Sequence, residues 1–500
     1  MTSISSVGAS PSLALSGSTA IASTLAAESD SRTTPVEAST QLTLGTSDAM
    51  AIVYSKPSQQ EQRFEDPRAW ASPPTDAISQ RMQSNVANTW QGLAATWRGI
   101  GGDLLNRFKT TQTDYFQTLA DYYPSIGTSI NNGKVLGGTI QTSGVQALAA
   151  IEDGAVKISL QIRTRSGQIV DIKISSGSKS LGVPRGLHAE MHTTGKLTTA
   201  ESNALAQLSG GLDQALEGLG TSGKLKLDMS GLLKYDKSVL SQLDLTVKGP
   251  HMDVPVASFG LHLNASQQEL TLQGQAGKLA ISVDSDSPTG AVSKLQQQDS
   301  IQKYLAQIDA AGYRSHSKAE LVAQFKNAFT EMQSAASGGT PATGAAVLSN
   351  TVQAQVHPLL SGLNDFQASF GGDFDNGRID HYATEAGHSD YKMSQKTSFK
   401  AGSAADDVSI RQTLRTQLNA EYAQSRGGAI LDTSKGYYDS YRIDDSSMAM
   451  TSIDVSKHRV SSAVKQTLLK QFLSFEKLVD HHVVKKSGTP TALNLIENLL

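Results

Sequence analysis

Three short constellations carry residue types that could do chemistry, and each departs from the pattern its chemistry requires. Gly218-Leu219-Gly220-Thr221-Ser222-Gly223-Lys224 has the glycine and lysine spacing of a phosphate-cradling loop. Leu225 stands where a Ser or Thr hydroxyl would hold magnesium, and the stretch follows a helical pattern. The working loop follows a strand and opens a helix. His188-Ala189-Glu190-Met191-His192 would put three polar side chains on one face of a strand, a geometry open to a metal ion. A zincin needs the acid directly after its first histidine. The alternation with Leu187, Ala189 and Met191 instead reads as a half-buried strand showing polar residues to water. Asp373, Asp375, Asn376 and Asp380 surround Gly377 in an oxygen-rich segment of the kind calcium prefers. Phe374 and Arg378 spoil an EF-hand register and no glutamate closes it, so a solvated turn is the better reading.

Other reactive groups are scattered. His381, His388, His481 and His482 have no serine in a strand–elbow–helix setting, and no G-x-S-x-G is present. Paired carboxylates occur, but nothing places two of them across a cleft. The absence of cysteine removes disulfides, thiolate metal sites and cysteine nucleophiles together. No catalytic, cofactor-binding or metal-ligating residue is therefore assigned, and no cofactor is expected. A net charge of −3 with no basic stripe interleaved with aromatics argues against a nucleic-acid partner. No run reaches the ~18 apolar residues that would span a bilayer. The first basic residue is Arg32, and Ser and Gly interrupt the apolar stretch 13–27, unlike a Sec signal. The chain is expected to be cytoplasmic or exported by a non-Sec route.

The elements that must position any site divide the chain into five parts. Residues 1–72 are Ser-, Thr- and Ala-rich, with no acid before Glu28, and read as a disordered tail. That composition resembles the acid-poor N-termini of type III secretion substrates. Residues 76–124 read as an amphipathic helical segment. Val86, Trp90, Leu93, Trp97, Ile100 and Leu104 step by four and three along one face, Phe108, Tyr115, Leu119 and Tyr122 extend it, and Gly99, Gly101 and Gly102 weaken its middle. Trp90, Leu93, Trp97, Ile100 and Leu104 are the candidate partner-contact residues, for a protein partner or self-association through residues 78–122. The alternative is packing on the protein's own core.

Residues 154–283 read as an antiparallel α+β domain. Val156, Ile158, Leu160 and Ile162 alternate with polar residues, Ser166-Gly167 turns the chain, and Val170, Ile172 and Ile174 return. Leu187, Ala189 and Met191 give a third strand. Thr198-Thr199-Ala200-Glu201 matches a capping box, and short strands follow near 243–247, 259–263, 270–272 and 279–283. Residues 291–333 read as a helical hairpin, its second helix opened by a capping box at Ser317-Lys318-Ala319-Glu320. The last part, 346–486, mixes strand and helix. Residues 408–424 fit either, with a lean to strand. Tyr437 to Val455 reads as a hairpin turning at Asp444-Asp445-Ser446-Ser447, and 460–483 as a terminal amphipathic helix.

Several of these blocks carry a resemblance. The segments 156–167, Gly195-Lys196-Leu197-Thr198 leading into 204–219, Leu227-Asp228-Met229-Ser230-Gly231-Leu232-Leu233, and Leu243-Asp244-Leu245 are similar to a family of proteobacterial, Pseudomonas-like proteins of unknown function. Residues 359–370 and 437–446 look like later blocks of the same family. The resemblance implies an α+β layout and names no activity.

The expected fold class is α+β: an antiparallel sheet with a packed helix, flanked by long amphipathic helices and a disordered N-terminal tail. The expected function is that of a non-enzymatic binding or structural protein of a Gram-negative bacterium, exported or envelope-associated. The alternatives are a type III-secreted effector or helper protein, and a hydrolase whose site assembles from distant residues.

Overall fold

Long runs of alternating apolar and polar residues need hydrogen-bonding neighbours on both sides, and the chain supplies them from itself. A computed structural model describes residues 68–121, 128–131, 134–137, 144–177, 183–221, 225–249, 256–286, 293–336, 348–379, 382–402 and 407–500. The chain divides into Met1–Glu65 and Asp66–Leu500, and every described element belongs to the second unit. In order these elements are β1 (Arg68–Trp70), α1 (Ala77–Ala87), α2 (Leu93–Trp97), α3 (Ile100–Arg107), β2 (Tyr115–Asp121), β3 (Thr128–Asn131), β4 (Lys134–Gly137), α4 (Gly144–Glu152), β5 (Val156–Thr164), β6 (Ile169–Gly177) and β7 (Arg185–Thr193). Next come α5 (Thr199–Gln207), α6 (Ser209–Gly220), α7 (Ser230–Leu233), β8 (Leu240–Lys248), β9 (Val256–Asn264), β10 (Gln267–Gly274), β11 (Gly277–Asp284), α8 (Lys294–Arg314), α9 (Ala319–Ala336) and α10 (Asn350–Val356). The chain ends with β12 (Phe366–Ile379), β13 (Tyr382–Ala401), β14 (Val408–Gln424), β15 (Asp439–Ser456), β16 (Arg459–Val479) and β17 (His482–Asn498).

Fifteen strands form one sheet in the order β1-β2-β7-β6-β5-β8-β9-β10-β11-β12-β13-β14-β15-β16-β17, and every pairing is antiparallel. The α+β expectation holds at this level, but the sheet dominates and the helices gather mainly on one of its faces. The sheet is hydrogen-bonded across the limits expected at 283 and 346. It also starts at Arg68, inside the segment expected as tail; residues 1–67 lie outside the described residues.

The covered face takes the apolar half of each alternation. Ile158, Leu160 and Ile162 of β5 and Val170, Ile172 and Ile174 of β6 are buried, as the hairpin pattern requires. Gly167 turns that hairpin at φ +96°, where a side chain would be strained. The expected capping box forms at α5: Glu201 N–H donates to Thr198 Oγ1, and Thr198 N–H donates to Glu201 Oε2. Burial works against the charge on Glu201. Hydrogen bonds from Ser166 and from the Thr198 backbone outweigh it and hold the carboxyl down at about 2. Helices α8 and α9 lay Tyr304, Phe325 and Phe329 against Phe366 and Phe370, with the Phe325 and Phe370 rings 4.9 Å apart.

Several expectations change. The 76–124 segment is not one helix. Gly92 (φ +99°) and Gly99 (φ +72°) break it into α1, α2 and α3, and Tyr115 and Leu119 belong to β2. Four of the stripe's candidate residues, Leu93, Trp97, Ile100 and Leu104, face inward. Trp97, Ile100 and Leu104 are buried in the main core and Leu93 packs against it, so they form no contact surface. Trp90 lies in the single 3-10 turn Thr89–Gln91. The 437–455 hairpin is the continuous strand β15. Asp445, expected in a turn, faces the covered side and is paired with Arg314 from the end of α8. The 460–483 helix is β16, whose apolar residues sit on both faces and so mimic helical spacing. The capping box at Ser317 does not form, because Ser317 Oγ is within hydrogen-bond distance of Ser315 and Ser389 of the sheet instead. The lean to strand for 408–424 agrees with β14.

Strand length now outruns helix length. Helix α8 has 21 residues and spans about 31 Å, whereas β13 has 20 and spans about 66 Å. One overhang is covered by α10, through Val352 and Val356 on Val408, Ile410, Ile453 and Val455. The other is closed by rings: His316 stacks on Tyr422 at 4.4 Å, Tyr422 on Tyr441 at 4.8 Å, and Tyr441 meets Phe475 at 5.2 Å.

Trp97 is 2% exposed and donates its Nε1–H to Ser176 Oγ across the core. Trp97→Ala should therefore destabilise the fold by about 3–5 kcal/mol. Urea unfolding checks this; an unchanged midpoint would return the tryptophan to the surface.

Candidate ligand-binding trough

The second face of the sheet carries the polar half of the alternation. Helix α4 packs there at the β1–β2 end, through Ala147 and Ile151 on Ala120. Over β10–β16 the face holds a trough of about 1140 Å³. Its floor is fixed by register. One row across the strands reads Glu269, Ser282, Gln367, Ser394, Arg415, Met448, Leu468. The next reads Thr271, Ala280, Ser369, Lys392, Gln417, Ser446, Lys470. Small side chains on the central strands give the trough its depth.

Its charge is one-sided. Lys392, Arg415 and Lys470 are exposed, and none has a carboxylate partner among the described residues. Lys396, at the rim, lies 3.6 Å from the Asp365 carboxylate. Glu269 is the single acid in the two rows and sits at their far end. Three uncompensated cations over a concave, hydroxyl-rich surface produce a field that concentrates anions.

A band of acids borders the cations. His388 is held between Asp373 Oδ1 at 2.6 Å and Asp390 Oδ2 at 2.8 Å, and Lys278 lies 3.8 Å from Asp390. Both ring nitrogens face carboxylates, so the doubly protonated ring is favoured. The hydrogen bond to Asp373, and then Asp390, raise the imidazole above its ordinary value.

Two further clusters hold groups of the types that do chemistry. Under α4, His188 Nδ1 is 3.0 Å from Thr118 Oγ1, which donates to Glu152 at 3.3 Å, and His188 Nε2 is 3.6 Å from Glu190. This hydroxyl–imidazole–carboxylate order suits a hydrolase in outline. Thr118 is 0% exposed, however, so its oxygen cannot reach a substrate. Burial also lowers the His188 pKa, as expected for a neutral packed imidazole. At the α8–α9 loop, a cavity of about 830 Å³ is lined by His316, Tyr422, Ile443 and Leu473. His316 Nδ1 bonds Glu385 at 2.8 Å, and Asn376 Nδ2 donates to both His316 O and Glu385. These polar atoms satisfy one another and hold the loop.

The sequence-level candidates separate in space. His192 pairs with Asp114 at 2.9 Å, away from His188, so the His-x-Glu-x-His segment does not converge. Asp373 turns to His388 and Asn376 to the α8–α9 loop. Asp380, His381 and the 222–224 part of the phosphate-loop look-alike lie outside the described residues, and Gly218 lies inside α6. His481, in the β16–β17 turn, and His482 stand apart from the trough. Among the described residues, no three His, Asp or Glu side chains gather as a metal site. Sequence reading missed Lys392, Arg415 and Lys470 because they come from three strands. Only the register β13–β14–β15–β16 brings them together.

His388 should titrate above an ordinary histidine, and Asp373→Asn should bring it back toward ~6.5. Because the folded value is raised, its contribution to stability is complete below ~6.5 and is lost as pH rises through the folded value. A histidine NMR titration reads both; a midpoint unmoved by the substitution would overturn the pairing.

Compared with family models, with curated proteins and with solved structures, the chain shows no match.

Proposed function

We propose that the chain is a non-enzymatic binding protein whose ligand is an elongated anion lying across the open face of the sheet. The observation that carries this reading is the set Lys392, Arg415 and Lys470, three exposed cations in one trough, without carboxylate partners among the described residues. Lys392 and Lys470 stand three strands apart, about 14 Å at the usual strand spacing. The reach suits a chain of several charged units better than a single small ion. Gln417 and Ser446 stand between them in the same row, and Ser394, Ser369 and Ser282 continue the floor on and beyond the Lys392 strand; all offer donors and acceptors to hydroxyls, as an acidic polysaccharide would need.

The two floor rows contain no aromatic side chain, so nucleobases would find no stacking platform. That supports a partner other than nucleic acid. The polar clusters at His188 and His316 are internally satisfied, which supports binding over turnover. The expected setting, an exported or envelope-associated protein of a Gram-negative bacterium, belongs to the same proposal. It rests on the acid-poor composition before Glu28 and on the absence of cysteine.

Fluorescence anisotropy with a labelled acidic oligosaccharide at low salt tests the reading. The combined Lys392→Gln, Arg415→Gln, Lys470→Gln variant should bind at least about tenfold more weakly, a loss of about 1.4 kcal/mol or more. Its thermal unfolding should match the parent, because all three side chains are exposed. Binding should fall as salt rises, and a neutral glucan of equal length should not bind. Equal affinity of parent and variant would sink the proposal.

A further inference from the structure

The last strand of the sheet is bare on both faces and along its outer edge. Every residue of β17 is exposed, including Val484, Leu493, Leu495 and Ile496 at 44–65%. Among the described residues, no strand pairs with its outer side. Exposed strand edges are templates for pairing with another chain.

The orientation of the backbone along that edge is fixed. Leu499 N–H donates to Ala463 O, so odd-numbered residues near the end of β17 turn their backbone groups toward β16. Phe472 N–H points the other way, to the Asp445 carboxylate on β15, so its opposite number Pro490 faces outward. Lys486, Gly488, Pro490, Ala492, Asn494 and Ile496 therefore present their backbone groups to the free edge. Pro490 leaves a gap in the row of donors.

We infer that β17 pairs antiparallel with β17 of a second copy of this chain, about a two-fold axis centred on Thr491. Outward-facing residues must lie opposite one another in such a pairing, so the permitted registers step by two residues. Centring on Pro490 would set two prolines face to face with no donor between them. Centring on Thr491 sets Pro490 opposite Ala492, whose N–H supplies the bond. It also sets Lys485 opposite Glu497 of the second copy, twice by symmetry, in the close non-hydrogen-bonded position.

No other permitted register opposes Glu497 with a lysine. The match also answers a defect in the single chain. Lys485 lies beside Lys477 in the β16–β17 ladder, a like-charge neighbour, and neither has a carboxylate partner among the described residues. Glu497 is already 3.8 Å from Lys465, so the interface would carry a Lys465–Glu497–Lys485 row at each end.

The chain has no cysteine, so single-cysteine variants report cleanly. Thr491 would face its own copy at a Cα separation of about 4.5 Å, within the range of a disulfide. Under mild oxidation Thr491→Cys should give a covalent dimer. Thr489→Cys alone should not, while an equimolar mixture of Thr489→Cys and Leu493→Cys should. In analytical ultracentrifugation, Lys485→Glu should weaken dimerisation about tenfold, and adding Glu497→Lys should restore it. A parent that stays monomeric at every concentration would overturn the inference, as would Thr491→Cys cross-linking no faster than Thr489→Cys. Neither readout depends on the anion trough.

Discussion

A residue in a strand advances the chain by about 3.3 Å and one in a helix by about 1.5 Å. That ratio governs this molecule. The six strands from β12 to β17 have 14 to 21 residues each, and the longest helix among the described residues has 21. No helix of such length can roof such a strand from end to end. The protein completes its covered face with patches: the α8–α9 pair in the centre, α10 over one overhang, and stacked aromatic rings over the other. Where the patches stop, at β16 and β17, side chains are half-exposed or exposed on both faces.

The open face follows from the same geometry. With the helices gathered on one side, alternate residues on the other side meet water and are free of packing demands. Ser, Thr, Gln, Lys and Arg fill it, and their positions are fixed by the backbone ladder. A rigid ladder can hold cations from distant parts of the sequence at set spacings. Lys392, Arg415 and Lys470 are 78 residues apart at their extremes and three strands apart in space. The ladder also keeps them apart from the Asp373–His388–Asp390 group, so positive and negative bands stay distinct.

How much was legible in the sequence depends on the range of each interaction. The β5–β6 hairpin, the third strand at Leu187, the capping box at Thr198 and the strands β8 to β11 were legible. Their signals are local: alternation, a Ser-Gly turn, a side chain three residues from its partner. The α8–α9 hairpin was legible for the same reason. β15 and β16 were not. Asp445 reads as a turn residue until Arg314, 131 positions away, is seen to neutralise it. Leu468, Leu469, Phe472 and Phe475 mimic a helix because β16 shows apolar residues on both faces. The tryptophan stripe was visible but its direction was not, since an amphipathic face does not say whether it meets its own core or a partner. The trough left no local mark.

The order of strands bears on how the sheet can be made. From β9 to β17 each strand pairs with the one just before it, and β9–β10, β10–β11, β15–β16 and β16–β17 are joined by turns of two residues. Closing a short loop costs little chain entropy, and contacts between sequence neighbours favour rapid folding. These stretches can zip up strand by strand as the chain becomes available. The first half is different: β2 must find β7, and β5 must accept β8 across β6, β7 and the three helices α5, α6 and α7. The early strands therefore set the pace. A hairpin duplicated within the later meander would lengthen the sheet without reordering any pairing already made.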